Sequence, residues 1–317
     1  MSEFGFQSFP CMQTIESFTE PNDRNIFSEI MEMHQRNTAA NGKIMTYLSA
    51  TYLYPKNFDM LVYASQMLQL DAIRYGVEYF RRIRGTCMGT VVWQINDIWP
   101  VASWASIDYF GRWKGLQYGE KRFYAPVSIS CEEHGRVDQM TFVNLRPVNV
   151  EYSGILHVAN ETGDVVKGTV KWQLRRADSS VIKQGEKDIE VQPYSGTWLD
   201  KEVFTGDEDE RTMHLYYEFV SDGKTVSSGS SLFVAPKHYH FVNPHLAVKV
   251  SGDEVTVTSD AYAKGVCIES EDGNLRLEDN FFDMEKGSRT VKIVGQVPAG
   301  DYRVRSVYDI ADTAFDK

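Results

Sequence analysis

Residues 86–104 read Thr86-Cys87-Met88-Gly89-Thr90-Val91-Val92-Trp93-Gln94-Ile95-Asn96-Asp97-Ile98-Trp99-Pro100-Val101-Ala102-Ser103-Trp104. The continuous apolar centre Val91-Val92-Trp93 predicts a strand over Thr86 to Ile95 that is buried on both faces. A tryptophan-rich loop follows it. Before it, Asn57 to Arg84 reads as a long helix, with Leu61, Ala64, Leu68, Ala72, Tyr75 and Tyr79 along one side and Gly85 as the stop. Val62, Ile73, Val77 and Phe80 fall outside that stripe, which predicts burial on more than one side. An earlier helix starts at Pro21-Asn22-Asp23, carries Ile26, Phe27, Ile30, Met31 and His34 at helical spacing, and is expected to stop at Asn41-Gly42. A last helix runs from about Trp113 to Phe123. Strands alternating with long helices imply a parallel sheet.

The chain opens with Ser2-Glu3-Phe4-Gly5-Phe6-Gln7-Ser8, a carboxylate among residues of strand character. An ionised acid in an apolar strand costs several kcal/mol unless it is paired or used, so Glu3 invites a functional reading. The competing reading is a solvated acid at a frayed terminus.

From about Val127 the pattern changes to short alternating strands separated by Gly, Asp and Asn turns. Val148–Tyr152, Gly168–Leu174, Met213–Phe219 and Leu246–Val250 are examples, and Val234-Ala235-Pro236-Lys237-His238 reads as a joint. The expected organisation is therefore residues 1–126 of α/β character, a β-sandwich over 127–235 and a second over 236–317.

With 317 residues, 42% of them hydrophobic, the chain has ample material for packed cores in two or three domains. A net charge of −11 and the lack of long Lys/Arg runs disfavour a nucleic acid or an anionic membrane as partner. Cys11, Cys87, Cys131 and Cys267 are scattered without paired spacing, which suits reduced thiols and a cytoplasmic location. No apolar run in the chain approaches the length that spans a bilayer, roughly 20 residues.

Ser2-Glu3-Phe4-Gly5, together with Trp93-Gln94-Ile95-Asn96-Asp97-Ile98-Trp99-Pro100 and its continuation to Trp113, resembles the β-mannosidases of glycoside hydrolase family 2. The likeness extends to Asp260-Ala261-Tyr262-Ala263-Lys264 and Asp279-Asn280-Phe281-Phe282-Asp283, and so spans essentially the whole chain. It implies the C-terminal part of a (β/α)8 TIM barrel over residues 1–126, followed by two immunoglobulin-like β-sandwich domains. It also implies a retaining exo-glycosidase that releases terminal β-D-mannose without a cofactor or metal. A whole barrel takes about 250 residues, so only its last strands and helices are expected here.

On this resemblance Glu3 is the catalytic nucleophile. The family's acid/base glutamate, from an Asn-Glu pair on an earlier strand, is expected to lie before Met1, which leaves the chain inactive alone. Asn160-Glu161 is the one Asn-Glu present, but it sits in Ala159-Asn160-Glu161-Thr162-Gly163-Asp164, which reads as a sandwich turn. Trp93 either stacks on a pyranose or packs in the core. Asn96 and Asp97 either bind sugar hydroxyls or cap the turn before Pro100. Trp99 and Trp104 read as loop packing, and Arg112, Trp113 and Lys114 as the start of the last helix. His238, His240 and His245 read as a linker surface in preference to a zinc site, and Asp207-Glu208-Asp209-Glu210 as a solvated loop. The expected partners are a β-mannoside glycan and either the missing N-terminal part of the enzyme or a second copy of the chain. The alternative is a non-catalytic sugar-binding or interaction module carrying a barrel remnant.

Overall fold

The computed structural model describes residues 1–137 and 149–312. Its N-terminal region holds α1 (Met12–Glu16), α2 (Glu29–Met33), α3 (Ala40–Thr51), α4 (Phe58–Arg82) and α5 (Gly115–Phe123). Asn57 caps α4 by accepting the Met60 N–H at 2.8 Å. Asp59 in the first turn and Arg81 and Arg82 in the last complement the helix dipole. Gly85 just beyond the end takes φ +98°, a conformation that favours glycine. Leu61, Val62, Ala64, Leu68, Ile73 and Val77 are all buried, so α4 is enclosed on several sides, but Tyr75 and Tyr79 of the expected stripe are 39% and 50% exposed.

The helix expected from Pro21 to Asn41 is instead broken. Pro21–Asp23 forms one 3-10 turn, α2 is five residues long, and Asn41-Gly42 lies inside α3 and not at a stop. The reason is the side chain of Asn41, which is 3% exposed. Its Nδ2 donates to Ile26 O at 2.6 Å and its Oδ1 accepts from Gln35 Nε2 at 2.8 Å. It thereby satisfies loop polar groups that a continuous helix would have paired itself.

The long strand expected over Thr86 to Ile95 is also corrected. It is reduced to one parallel bridge, Phe4 with Val92, and Val91, Trp93 and Ile95 are 58%, 47% and 63% exposed. Only one side of this segment is packed.

Antiparallel strands begin at β1 (Val127–His134). β2 (Ser153–Asn160), β3 (Val166–Arg176), β4 (Val181–Val191), β5 (Ser195–Val203), β6 (Met213–Ser221) and β7 (Lys224–Leu232) complete two sheets, ordered β1-β2-β5 and β4-β3-β6-β7. They close on a core that includes Val158, Leu174, Phe204, Phe219 and Phe233. The strand expected over Val148–Tyr152 is not seen: Val148 lies outside the described residues, and residues 149–152 lead irregularly into Ser153. Tyr152 there gives its N–H to Thr205 Oγ1 at 2.8 Å, not to a sheet ladder. The acidic loop is less solvated than expected, since Glu208 pairs with Arg176, Asp209 with Arg211, and Glu210 accepts from the Tyr152 hydroxyl at 2.8 Å.

After a 3-10 turn at Pro236–His238 come β8 (Ala247–Ser251), β9 (Glu254–Ser259), β10 (Ala263–Ser270), β11 (Phe282–Met284), β12 (Gly287–Lys292) and β13 (Tyr302–Arg305). Their sheets are ordered β12-β9-β8 and β11-β10-β13. This second sandwich shares a core with the helices: Tyr63, Met67 and Leu70 of α4 and Tyr118 of α5 pack with Tyr262, Val266, Phe281 and Phe282. The Tyr63 hydroxyl donates to Gly265 O at 2.6 Å across this contact, and Arg305 bridges Asp59 of α4 (2.7 Å) and Glu269 of β10 (2.8 Å).

Candidate active site

The opening segment lies parallel to Val91-Val92-Trp93: the Phe4 N–H donates to Val91 O at 3.1 Å, and the Trp93 N–H donates to Phe4 O at 2.9 Å. Successive residues of an extended chain point to opposite faces. Phe4, Phe6 and Val92 pack on Ile73 and Val77 of α4 and on Leu116 and Phe123 of α5. Alternation therefore assigns Glu3, Gly5, Val91 and Trp93 to the opposite, open face. Glu3 is exposed there, and Trp93 is 47% exposed. Gly5 matters because a Cβ on it would collide with the Trp93 carbonyl; its absence lets the two segments close up. The Trp93–Gln94 peptide is cis.

α4 holds this irregular backbone together with polar side chains that are all buried. Gln69 Nε2 donates to Phe6 O at 2.8 Å and to Trp104 O at 3.0 Å, while its Oε1 accepts from Ser8 Oγ at 2.7 Å. Ser65 Oγ accepts the Phe9 N–H at 3.2 Å, and Gln66 donates to Phe9 O at 3.2 Å and accepts the Gly115 N–H at 3.2 Å. Without sheet partners these backbone groups need side-chain ones. The hydrophobic pattern of α4 carries no sign of this duty, although Ser65, Gln66 and Gln69 on an otherwise apolar helix are the residues that betray it.

The two loop candidates separate. Asn96 is exposed at a bridge to Ile107, available on the surface. Asp97 is 6% exposed and accepts from Ser103 Oγ at 2.8 Å and Gln94 Nε2 at 3.2 Å, so it holds the turn before Pro100 from inside. Burial raises its pKa, opposed by the Ser103 hydrogen bond and Lys114. Trp99 lies 5.0 Å from the His34 ring, which stacks on Phe18 at 3.9 Å.

Lys114 immediately precedes α5, which starts at Gly115, and its side chain is turned inward without capping the helix. It is 1% exposed and donates to Ser8 O at 3.5 Å. Burial pushes its pKa down to about 8 against the attraction of Asp97 and Asp108. Asp108 accepts from Thr14 Oγ1 at 2.5 Å. Glu120 on α5 is pushed up to about 7 by burial, tempered by Ser106. Neither Lys114 nor Glu120 stands out in the sequence, because a helix-end lysine and a helical glutamate are ordinarily solvated.

Asn160 ends β2 and its Oδ1 accepts the Thr162 N–H at 2.9 Å, which makes the Asn160–Asp164 stretch a turn. Glu161 forms ion pairs with Arg84 and Arg81, beyond and within the last turn of α4. His245 pairs with Asp260 at 3.4 Å, and among the described residues no group of three His, Cys, Asp or Glu side chains is placed to hold a metal ion.

Residues 155–238 match the Mannosidase Ig/CBM-like domain, and residues 241–310 match an Ig-fold domain. Beta-mannosidase B of Thermothelomyces thermophilus is 26% identical over 97% of this chain and 38% of its own length. The beta-mannosidase of Mus musculus is 32% identical over 43% of this chain and 17% of its own. Among solved structures, the β-D-mannosidase of Dictyoglomus thermophilum superposes over 96% of this chain and 37% of its own, with a TM-score of 0.82 at 22% identity. An exo-chitosanase of Amycolatopsis orientalis superposes over 96% of this chain and 39% of its own, with a TM-score of 0.66 at 15% identity.

A helical region backed by two immunoglobulin-like sandwiches, with these relatives, gives the chain a resemblance to glycoside hydrolases. The likeness is to the C-terminal portion of the β-mannosidases of glycoside hydrolase family 2. The chain spans well under half the length of the relatives it matches.

Proposed function

We propose that the open face bearing Glu3 and Trp93 forms part of the mouth of a (β/α)8 barrel, and that the assembled enzyme is a retaining exo-β-mannosidase. In this reading residues 1–126 supply the last barrel strands and helices, and residues 127–235 and 236–317 are the two sandwiches. The observation that carries it is the alternation across the Phe4–Val92 bridge, which sends the apolar residues to the helix layer and Glu3 with Trp93 to the other side. In a barrel that other side is the lumen, where strand-end carboxylates do chemistry.

Glu3 attacks the anomeric carbon and forms a glycosyl ester, which water then hydrolyses. Trp93 offers its indole face to the apolar side of the sugar, and Asn96 hydrogen-bonds hydroxyls at the rim. Asp97 belongs to the site as the residue that shapes this loop. The acid/base carboxyl, which retaining enzymes hold about 5–5.5 Å from the nucleophile, comes from outside these residues. The apolar side chains Val91, Ile95 and Ile98 are 58%, 63% and 83% exposed. In a closed barrel the inward side chains of the other strands pack against such surface. No cofactor enters the reaction. The free thiols of Cys11, Cys87, Cys131 and Cys267 suit a cytoplasmic location.

The test is hydrolysis of an aryl β-mannoside by the 317-residue chain and by a longer protein that contains it. The chain alone is expected to fold without turnover. In the longer protein, Glu3→Ala is expected to abolish hydrolysis, and azide is expected to restore cleavage as an α-mannosyl azide. Full activity of Glu3→Ala would sink the assignment, and a longer protein without turnover would favour the non-catalytic module.

A further inference from the structure

A recess of about 350 Å3 opens where the C-terminal end of α4 meets the first sandwich, lined by Arg82, Arg84, Met88, His157, Tyr194 and Trp198 among others. No residue of the Glu3 face contributes to it. Two of its polar groups are buried and unanswered. His157 of β2 is 2% exposed, and its Nδ1 has no hydrogen-bond partner among the described residues. The side chain of Arg82 is 7% exposed, and its Nε–H is likewise unpaired. Native proteins rarely leave such groups without a partner, so two bordering one recess point to a ligand that supplies oxygen atoms.

The rest of the recess specifies the ligand further. Trp198 and Tyr194 are 42% and 60% exposed, and Trp198 stands edge-on to His157 with ring centroids 4.7 Å apart. The imidazole lies against the bare backbone of Gly196, where any Cβ would strike the ring. Flat aromatic surface beside buried donors matches a pyranose, which has an apolar C–H face and a rim of hydroxyls. The cationic charge is already answered: Arg84 pairs with Glu161, and Arg82 lies 4.0 Å from Glu78. The guanidinium groups therefore offer N–H donors without a strong surplus of charge, which favours a neutral sugar over phosphate.

We propose that this recess is a second carbohydrate-binding site, separate from the Glu3 face, which takes a neutral pyranose unit stacked on Trp198 and hydrogen-bonded to Arg82 and His157. Bound there, a longer glycan is held against the sandwich while another part of it is presented elsewhere.

The experiment is calorimetric titration of the 317-residue chain with linear β-mannotriose, with cellotriose and with inorganic phosphate. It is repeated on Trp198→Ala and His157→Gln after thermal melts confirm that each variant is folded. The choice of mannotriose alone rests on the β-mannosidase reading, and cellotriose keeps the two ideas separable. Binding of either trisaccharide, weakened by roughly tenfold or more in Trp198→Ala and also weakened in His157→Gln, supports the site. No saturable binding of either sugar overturns it. So does binding that survives Trp198→Ala, or displacement of the sugar by phosphate.

Discussion

Gly5 lies directly against the Trp93 peptide: a Cβ on Gly5 would meet the Trp93 carbonyl oxygen well inside van der Waals contact and would come within 2.9 Å of Cδ1 of Trp104. Neither obstacle is the free end of a flexible chain. Gly5→Ala is therefore expected to push the two segments apart and to cost roughly 1–3 kcal/mol, read as a lowered denaturation midpoint with an unchanged m-value. An Ala variant as stable as the parent would show that the bridge between these segments is loose.

Gln69 is buried, and its Nε2 serves two carbonyls at 2.8 and 3.0 Å. Gln69→Leu keeps the bulk and removes the donors, leaving the Phe6 and Trp104 carbonyls unpaired. A loss of about 2–4 kcal/mol is expected, and Gln69→Glu is expected to be no better, since a carboxylate cannot donate. Urea denaturation of both variants checks this.

Lys114 is attracted by Asp97 and Asp108, and burial lowers its pKa from 10.5 to about 8. The unfolded chain holds this proton more tightly, so the stability attributable to Lys114 rises as pH climbs from about 8 to 10.5. The parent minus Lys114→Met difference in unfolding free energy should show that rise. A flat difference curve across that window would refute the lowered pKa.

His157 shows the same linkage on the acid side. Burial, with Arg82 and Arg81 nearby, lowers its pKa from 6.5 to about 4. A folded pKa below the unfolded one means that the unfolded state takes up the proton first. Stability is therefore full above pH 6.5 and is lost progressively as pH falls toward 4. The loss is on the order of 3 kcal/mol. His157→Gln should abolish that part of the acid sensitivity, measured by thermal melts across the window.

Arg305, 5% exposed, joins Asp59 of α4 to Glu269 of β10, and its guanidinium lies 5.0 Å from the centre of the Tyr63 ring. Arg305→Leu removes the buried partner of both acids and leaves them to Arg303 at the contact between the helices and the last sandwich. We expect it to cost about 1.5–3 kcal/mol and to raise the protease sensitivity of that sandwich. Arg303 is half-exposed and pairs with the same two acids. Arg303→Leu should cost under about 1 kcal/mol.

Elements with dense local signals were legible in the chain itself. α4 has its cap at Asn57 and its stop at Gly85 in sequence, and β3 and β6 carry strand character along their length. The broken helix around Asn41 was not legible. An Asn-Gly pair is an ordinary stop signal, and only the buried carbonyls of Ile26 and Met31 turn it into a helical anchor. The Thr86–Ile95 segment misled for a related reason: an apolar run records that side chains are to be covered, not by what, and here one side faces α4 and α5 while the other is open.

Sequence by itself determined the long helix α4, the two sandwiches, the likeness to family 2 β-mannosidases and the candidacy of Glu3, Trp93, Asn96 and Asp97. Those readings rest on local periodicity, turn chemistry and motif, which a linear chain displays. Tertiary structure alone decided that Glu3 and Trp93 share a face and that Asp97 is buried while Asn96 is not. It also decided that Lys114 turns inward and that His157, Arg82 and Trp198 border one recess. Each of these depends on which distant segment supplies the neighbouring charge, ring or carbonyl, and burial and electrostatics are properties of that neighbourhood rather than of the residue.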